Sequence, residues 1–167
     1  FINGLCRIAL DKLKKTYEQD IQEKNIRIVF DNLTLSLMME VNVEQFSKVL
    51  AGILKNSMYA LLKKSETVTF SPEIFLGLKV NKDMLEITIR DNGSGIDENI
   101  KDKIFAPFFT TKTTGEAAGV GLYLCREIVQ NHRGTIEVES KKGEYTQFLI
   151  TIPVYQPKTI TPPKEEE

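Results

Sequence analysis

The chain has 167 residues, about one domain's worth, and its 41% hydrophobic and 27% charged content is ordinary for a water-soluble globular fold. Its 22 basic and 23 acidic residues leave a formal charge of −1, which gives no basic footprint for nucleic acid. Cys6 and Cys125 lie far apart with no CxxC spacing, which argues against a zinc site or a disulfide framework, and no apolar run approaches the roughly 18 residues of a membrane span.

In chain order, Leu5, Ile8, Ala9, Leu13, Tyr17 and Ile21 recur at helical spacing and predict a helix over 3–24. Residues 26–30 read as a strand, and 35–41 as a second, short one. Asn42 is a suitable N-cap for a helix over 43–64, whose apolar stripe is Phe46, Val49, Leu50, Ile53, Ser57 and Leu61. After a loop with Pro72, residues 74–80 and 84–90 form a predicted hairpin around Asn81-Lys82-Asp83. A short helix over 97–104 precedes an irregular stretch to about 118, and a helix over 120–132 stops at Gly134. A last hairpin joins 135–140 to 145–154, and the Pro- and Glu-rich tail, 155–167, reads as disordered. Adjacent strands interleaved with helices predict an α+β fold, a two-layer sandwich, with one domain over 1–154.

The chemistry concentrates in four segments. They are "LAGILKNSMYAL" (50–61), "DNGSGI" (91–96), "IFAPFFTTK" (104–112) and "GVGLYLCREIVQNHRG" (119–134). The P-loop, GxGxxG and HExxH signatures are absent from the sequence. Asn56 sits mid-helix, where Asn has poor propensity, and shares a polar face with Gly52, Tyr59 and Lys63. Three phenylalanines in five residues are costly to leave on a surface. Gly119-Val120-Gly121 opens a helix and offers backbone N–H groups suited to phosphate.

In this order the four segments resemble the GHKL family of ATPases and kinases, and within it the ATP-binding catalytic domain of bacterial sensor histidine kinases, over residues 3–153. The resemblance implies the Bergerat fold, a mixed sheet with helices on one face. It implies that Asp91 accepts from the adenine amine, with Gly93, Gly95 and Ile96 beside the base and Thr146 supporting that pocket. Asn56 matches the asparagine that holds Mg²⁺, with Tyr59 and Lys63 on the same face. Phe105, Thr110, Thr111 and Lys112 match a mobile lid over 98–118, and Gly119, Val120, Gly121 and Leu122 match the second glycine box. ATP and Mg²⁺ are the implied cofactors.

The implied partners are a dimerisation and phosphoacceptor domain of a homodimeric parent, and a response regulator. A cytoplasmic setting without direct membrane contact is expected, and a chain that starts at Phe1 rather than Met reads as a fragment. Two departures matter. Gly52 stands where related hydrolases place a water-activating glutamate, and Tyr123 stands where the second box commonly has a glycine, which would crowd the phosphate side. His132 ends a helix and is read as structural, Cys125 as a buried thiol, and Lys141-Lys142 as a solvated turn. A serine kinase of the anti-sigma-factor type, or a degenerate nucleotide-binding regulatory module, remain as alternatives.

Overall fold

The computed structural model describes residues 1–33, 37–110 and 121–154. The strands are β1 (Arg27–Asp31), β2 (Glu73–Asn81), β3 (Met84–Asp91), β4 (Thr135–Lys141) and β5 (Tyr145–Pro153). They form one mixed sheet in the order β1-β2-β3-β5-β4, with β1 parallel to β2 and the other pairs antiparallel. Burial alternates along β3 and β5, so one face is apolar and the other meets solvent. Across the apolar face Leu76, Ile89 and Phe148 sit opposite one another in turn, and so do Leu78, Ile87 and Ile150.

The helices cover that face. In α3 (Val43–Ser65), Phe46, Val49, Leu50, Ile53, Leu54, Met58 and Leu61 are buried, and the Asn42 side chain caps it by accepting from Gln45 N–H at 3.0 Å. In α4 (Gly121–Asn131) the buried residues are Cys125, Ile128 and Val129. α1 (Ile2–Thr16) adds Leu5, Ala9, Leu10 and Leu13 from the far side of α3. The fold is therefore the expected two-layer α+β sandwich.

Three local expectations are corrected. The single helix over 3–24 is two: α1 ends at Thr16, whose hydroxyl back-bonds Lys12 O at 2.9 Å, and α2 (Glu18–Lys24) follows the break at Tyr17. The expected strand over 35–41 is not one in its described part, 37–41. The connection is satisfied by α1 instead: Asn3 bonds both Leu33 O and Leu33 N–H, and Ile2 N–H donates to Leu37 O. The expected helix over 97–104 is a chain of i→i+3 turns holding a single 3₁₀ turn, Lys101–Lys103. Pro107 has no N–H for Lys103 O and disfavours helix in the residue before it, so an α-helix cannot run on through this segment. The tail, 155–167, lies outside the described residues.

Candidate functional site

β3 ends in Asp91, and the chain then turns back along the C-terminal half of α3. Asn92 fixes this turn, accepting from Glu73 N–H at 2.8 Å and donating to Ser71 O at 2.8 Å, while Lys64 Nζ reaches Asn92 O at 2.9 Å. Gly93 and Gly95 have a packing reason of their own. A Cβ at Gly93 would lie 2.6 Å from the Ala60 carbonyl carbon of α3. One at Gly95, which has φ +64°, would run into Lys141 O of the β4–β5 turn. Their missing side chains let the loop wedge between α3 and that turn.

The loop is held on both sides. Ser94 N–H donates to Ala60 O at 3.2 Å, and Gly143 N–H donates to Ser94 O at 2.7 Å. Ile96 N–H donates to Ser140 Oγ at 2.8 Å, and Lys142 pairs with Asp97 at 2.8 Å. Lys142 is 72% exposed at its side chain, the solvated turn expected, and its ion pair ties that turn to the loop. The ion pair holds the Asp97 carboxyl below its ordinary range and the Lys142 ammonium above its own.

Between this loop, α3, the start of α4 and the sheet lies a cavity of about 510 Å³. Asp91 and Thr146 form its floor at the sheet end, with Phe148 beside them. Asn56, Tyr59 and Lys63 line the α3 wall, Gly95 and Ile96 the loop wall, and Gly121 and Leu122 the start of α4. Thr110 lies at the remaining edge. Asp91 is 3% exposed and Thr146 5%. Burial pushes the Asp91 carboxyl from 3.8 up to about 6, against the opposing pull of Gly93 N–H, the Ser57 hydroxyl, Lys64 and Arg90. Gly93 N–H donates to Asp91 Oδ1 at 2.9 Å. The site is thus a concave, mostly apolar slot with one buried carboxylate, a pattern suited to a planar ligand that offers a donor.

Not every expected residue lines it. Gly93 packs behind the wall. Phe105 is buried edge-on against Phe148, with ring centres 6.3 Å apart, and Arg126 lies 5.7 Å from its ring. Of the other two phenylalanines, Phe109 joins the cavity wall while Phe108 is 77% exposed at φ +63°. Tyr123 is not among the described residues that line the cavity. Thr111, Lys112, Gly119 and Val120, and most of the second half of the expected lid, lie outside the described residues. Among the lining residues that sequence reasoning missed are Lys55, Ser94, Asp97, Phe109, Lys142 and Phe148. Phe148 was reachable, since it follows Thr146 by one strand period on the same face. Lys142 was not, because its partner Asp97 is 45 residues away.

Among the described residues no cluster of three His, Cys, Asp or Glu could hold a metal. The side chains do fit Mg²⁺ held mainly by phosphates and water, because such an ion needs only one or two protein oxygens and Asn56 supplies one. His132 is committed elsewhere. Its Nε2 accepts from Asn42 N–H at 2.9 Å and its Nδ1 lies 2.7 Å from Ile128 O, which ties the end of α4 to the N-cap of α3. Cys125 is buried, and burial pushes its thiol up to about 12.

The model of the histidine kinase-, DNA gyrase B- and HSP90-like ATPases matches residues 42–156. Cyanobacterial phytochrome A of Nostoc sp. is 35% identical over 149 residues, covering 87% of this chain and 18% of its own length. The sensor histidine kinase ZraS of Salmonella typhi is 29% identical over 136 residues, covering 81% of this chain and 28% of its own. The chain therefore spans less than a third of either relative. Among solved structures, the catalytic domain of the histidine kinase ThkA superposes with a TM-score of 0.73 at 28% identity, over 91% of each chain. Full-length ShkA in complex with AMPPNP shares the fold, with a TM-score of 0.75 at 17% identity over 94% of this chain and 31% of its own.

Proposed function

Because the chain belongs to the histidine kinase-, DNA gyrase B- and HSP90-like ATPase family, we propose that it binds Mg-ATP and donates the γ-phosphate to a histidine on a separate dimerisation domain. A response regulator would receive the phosphoryl group next. The observation that carries the reading is Asp91, a nearly buried carboxylate on the floor of a cavity whose α3 wall holds Asn56. A carboxylate there accepts a hydrogen bond from the adenine amine and repels the 6-oxo group of guanine. Asn56 would hold Mg²⁺, and Lys55 and Lys63, which also line the cavity, add positive charge to the same wall. Mg²⁺ supplies charge neutralisation as the phosphoryl group leaves. The chain's own residues position the nucleotide and exclude water from its base, which is most of what this class of transfer asks of a protein.

The experiment pairs calorimetry with a transfer assay. The chain should bind an ATP analogue with Mg²⁺ and prefer it to the GTP analogue. With labelled ATP and the dimerisation domain of a sensor histidine kinase that shares its parent chain, it should yield an acid-labile, base-stable phosphohistidine on that domain. Binding without transfer to that domain would leave a nucleotide-binding module and overturn the kinase assignment.

A further inference from the structure

Asp91, Thr146 and Ser140 occupy consecutive rungs across β3, β5 and β4: Asp91 is the register partner of Thr146, and Thr146 of Ser140. All three project from the face that the helices cover, at the end of the sheet that floors the cavity. Ser140 Oγ makes three contacts. It lies 2.7 Å from Tyr145 O, receives Ile96 N–H at 2.8 Å, and lies 3.2 Å from Thr146 Oγ1. A serine hydroxyl has one hydrogen. The Tyr145 carbonyl can only accept, so at 2.7 Å it takes that hydrogen. The backbone N–H of Ile96 can only donate. The Thr146 hydroxyl hydrogen must therefore point at Ser140, which leaves Thr146 with lone pairs alone for the cavity.

We propose that Ser140 is a specificity-determining positioning residue, which locks the Thr146 hydroxyl as an acceptor and so makes the purine end of the cavity read two donors. The inference rests on the nucleotide reading above and goes beyond it. An exocyclic 6-amine carries two N–H groups, which a carboxylate and a neighbouring hydroxyl oxygen can both receive. A 6-oxo purine presents lone pairs to both. A free threonine hydroxyl could turn its hydrogen toward such a base; this one is held. Discrimination then comes from the hydrogen-bond order of a residue that does not itself line the cavity.

The test uses the 167-residue chain with Mg²⁺ and two diphosphates that differ at the 6-position, ADP and IDP. In Ser140→Ala the Thr146 hydroxyl is free to rotate, so IDP should gain on ADP and the preference should shrink about three- to tenfold, the size of one net hydrogen bond. Ser140→Thr should restore it. In a Thr146→Val background the Ser140 substitution should no longer change the ratio, because the hydroxyl it acts through is gone. If Ser140→Ala weakens both nucleotides equally, or shifts the ratio as much without the Thr146 hydroxyl, Ser140 is merely part of the wall and the proposal is wrong. Should the alanine variant not fold, Ser140→Cys, a weak donor and acceptor, serves in its place with the same expectations. A wild-type chain that binds neither nucleotide would instead refute the nucleotide reading itself.

Discussion

Asp91→Asn should make the protein more stable while abolishing the adenine contact proposed for it. The native fold raises the Asp91 carboxyl from 3.8 to about 6, so keeping it ionised at neutral pH costs the fold on the order of 3 kcal/mol relative to the unfolded chain. The sign follows from proton binding. Between about 3.8 and 6 the folded chain holds the proton more tightly than the unfolded one. The stability contributed by this group is therefore full below 3.8 and is lost as pH rises through about 6. An asparagine has the same shape and no charge, and its Oδ1 can still receive Gly93 N–H. The hydrogen bond is weaker to a neutral acceptor, so a net gain of about 1–3 kcal/mol at about pH 7.5 is expected, or roughly 3–10 °C in Tm.

With Oδ1 kept on Gly93, the asparagine turns its NH₂ group toward the cavity. A donor then meets the donor of adenine, and ADP affinity should fall about 100-fold or more, while a 6-oxo base is tolerated better. Wild-type binding should depend on the ionised form. Adenosine suits this measurement because no phosphate titrates with it, and its affinity should drop about tenfold between about pH 7 and pH 5. Thermal melts of both proteins and calorimetry across that range test these expectations together. An Asp91→Asn chain less stable than wild type at neutral pH, with wild-type adenosine binding flat down to about pH 5, would refute the reasoning.

Gly93→Ala forces a Cβ to within 2.6 Å of the α3 backbone and should cost about 2–4 kcal/mol, read by urea unfolding. Gly143→Ala meets nothing within 4 Å and strains only its φ of +80°, so about 1 kcal/mol is expected there. Asn56→Ala should weaken ADP binding with Mg²⁺ present and leave adenosine binding nearly unchanged; equal losses for both ligands would remove the metal role. His132→Ala breaks two hydrogen bonds and an edge contact with Phe46, so Tm should fall by an amount matching about 1–3 kcal/mol while ADP binding persists. Labelled ATP should leave no phosphohistidine on the isolated chain, because both ring nitrogens of His132 are already engaged.

What was legible in the sequence followed periodicity and chemistry that act locally. The apolar stripe of α3, its Asn42 cap and the two antiparallel hairpins were readable to within a residue or two, because alternation and helical spacing express burial directly. Asp91 stood out as an acid ending an alternating strand. The misreadings share one cause, a competing hydrogen bond made elsewhere. Thr16 broke the first helix through its own side chain, Asn3 holds Leu33 against α1, and Asp97 accepts Asn99 N–H at 3.0 Å at the head of the turns that Pro107 keeps from becoming an α-helix. The role of Ser140 was invisible, since it depends on a loop amide 44 residues away meeting two partners at the start of the neighbouring strand.

The same cavity also bears on what becomes of the γ-phosphate. Hydrolysis needs a base beside the attacking water. Among the described residues lining the cavity the only carboxylates are Asp91 and Asp97. Asp91 lies on the floor at the sheet end, and Asp97 is paired to Lys142 at the opposite wall from α3. On α3, one turn before Asn56, the wall is Gly52, and even a Cβ there would sit 3.3 Å from Cys125 Sγ. A glutamate at this position would press on a thiol that is itself packed into α4 and only 3% exposed, and that neighbour would have to give. Gly52, Lys55, Asn56 and Gly121, described residues of the cavity lining, supply no carboxylate base. On the proposed function, the γ-phosphate would then await a nucleophile that brings its own base. Gly52→Glu combined with Cys125→Ala, which makes the room, is therefore the variant in which slow ATP hydrolysis should first become measurable over the wild-type rate. If the wild-type chain already hydrolyses ATP as fast as that variant, a base acts in this cavity that the described residues do not supply.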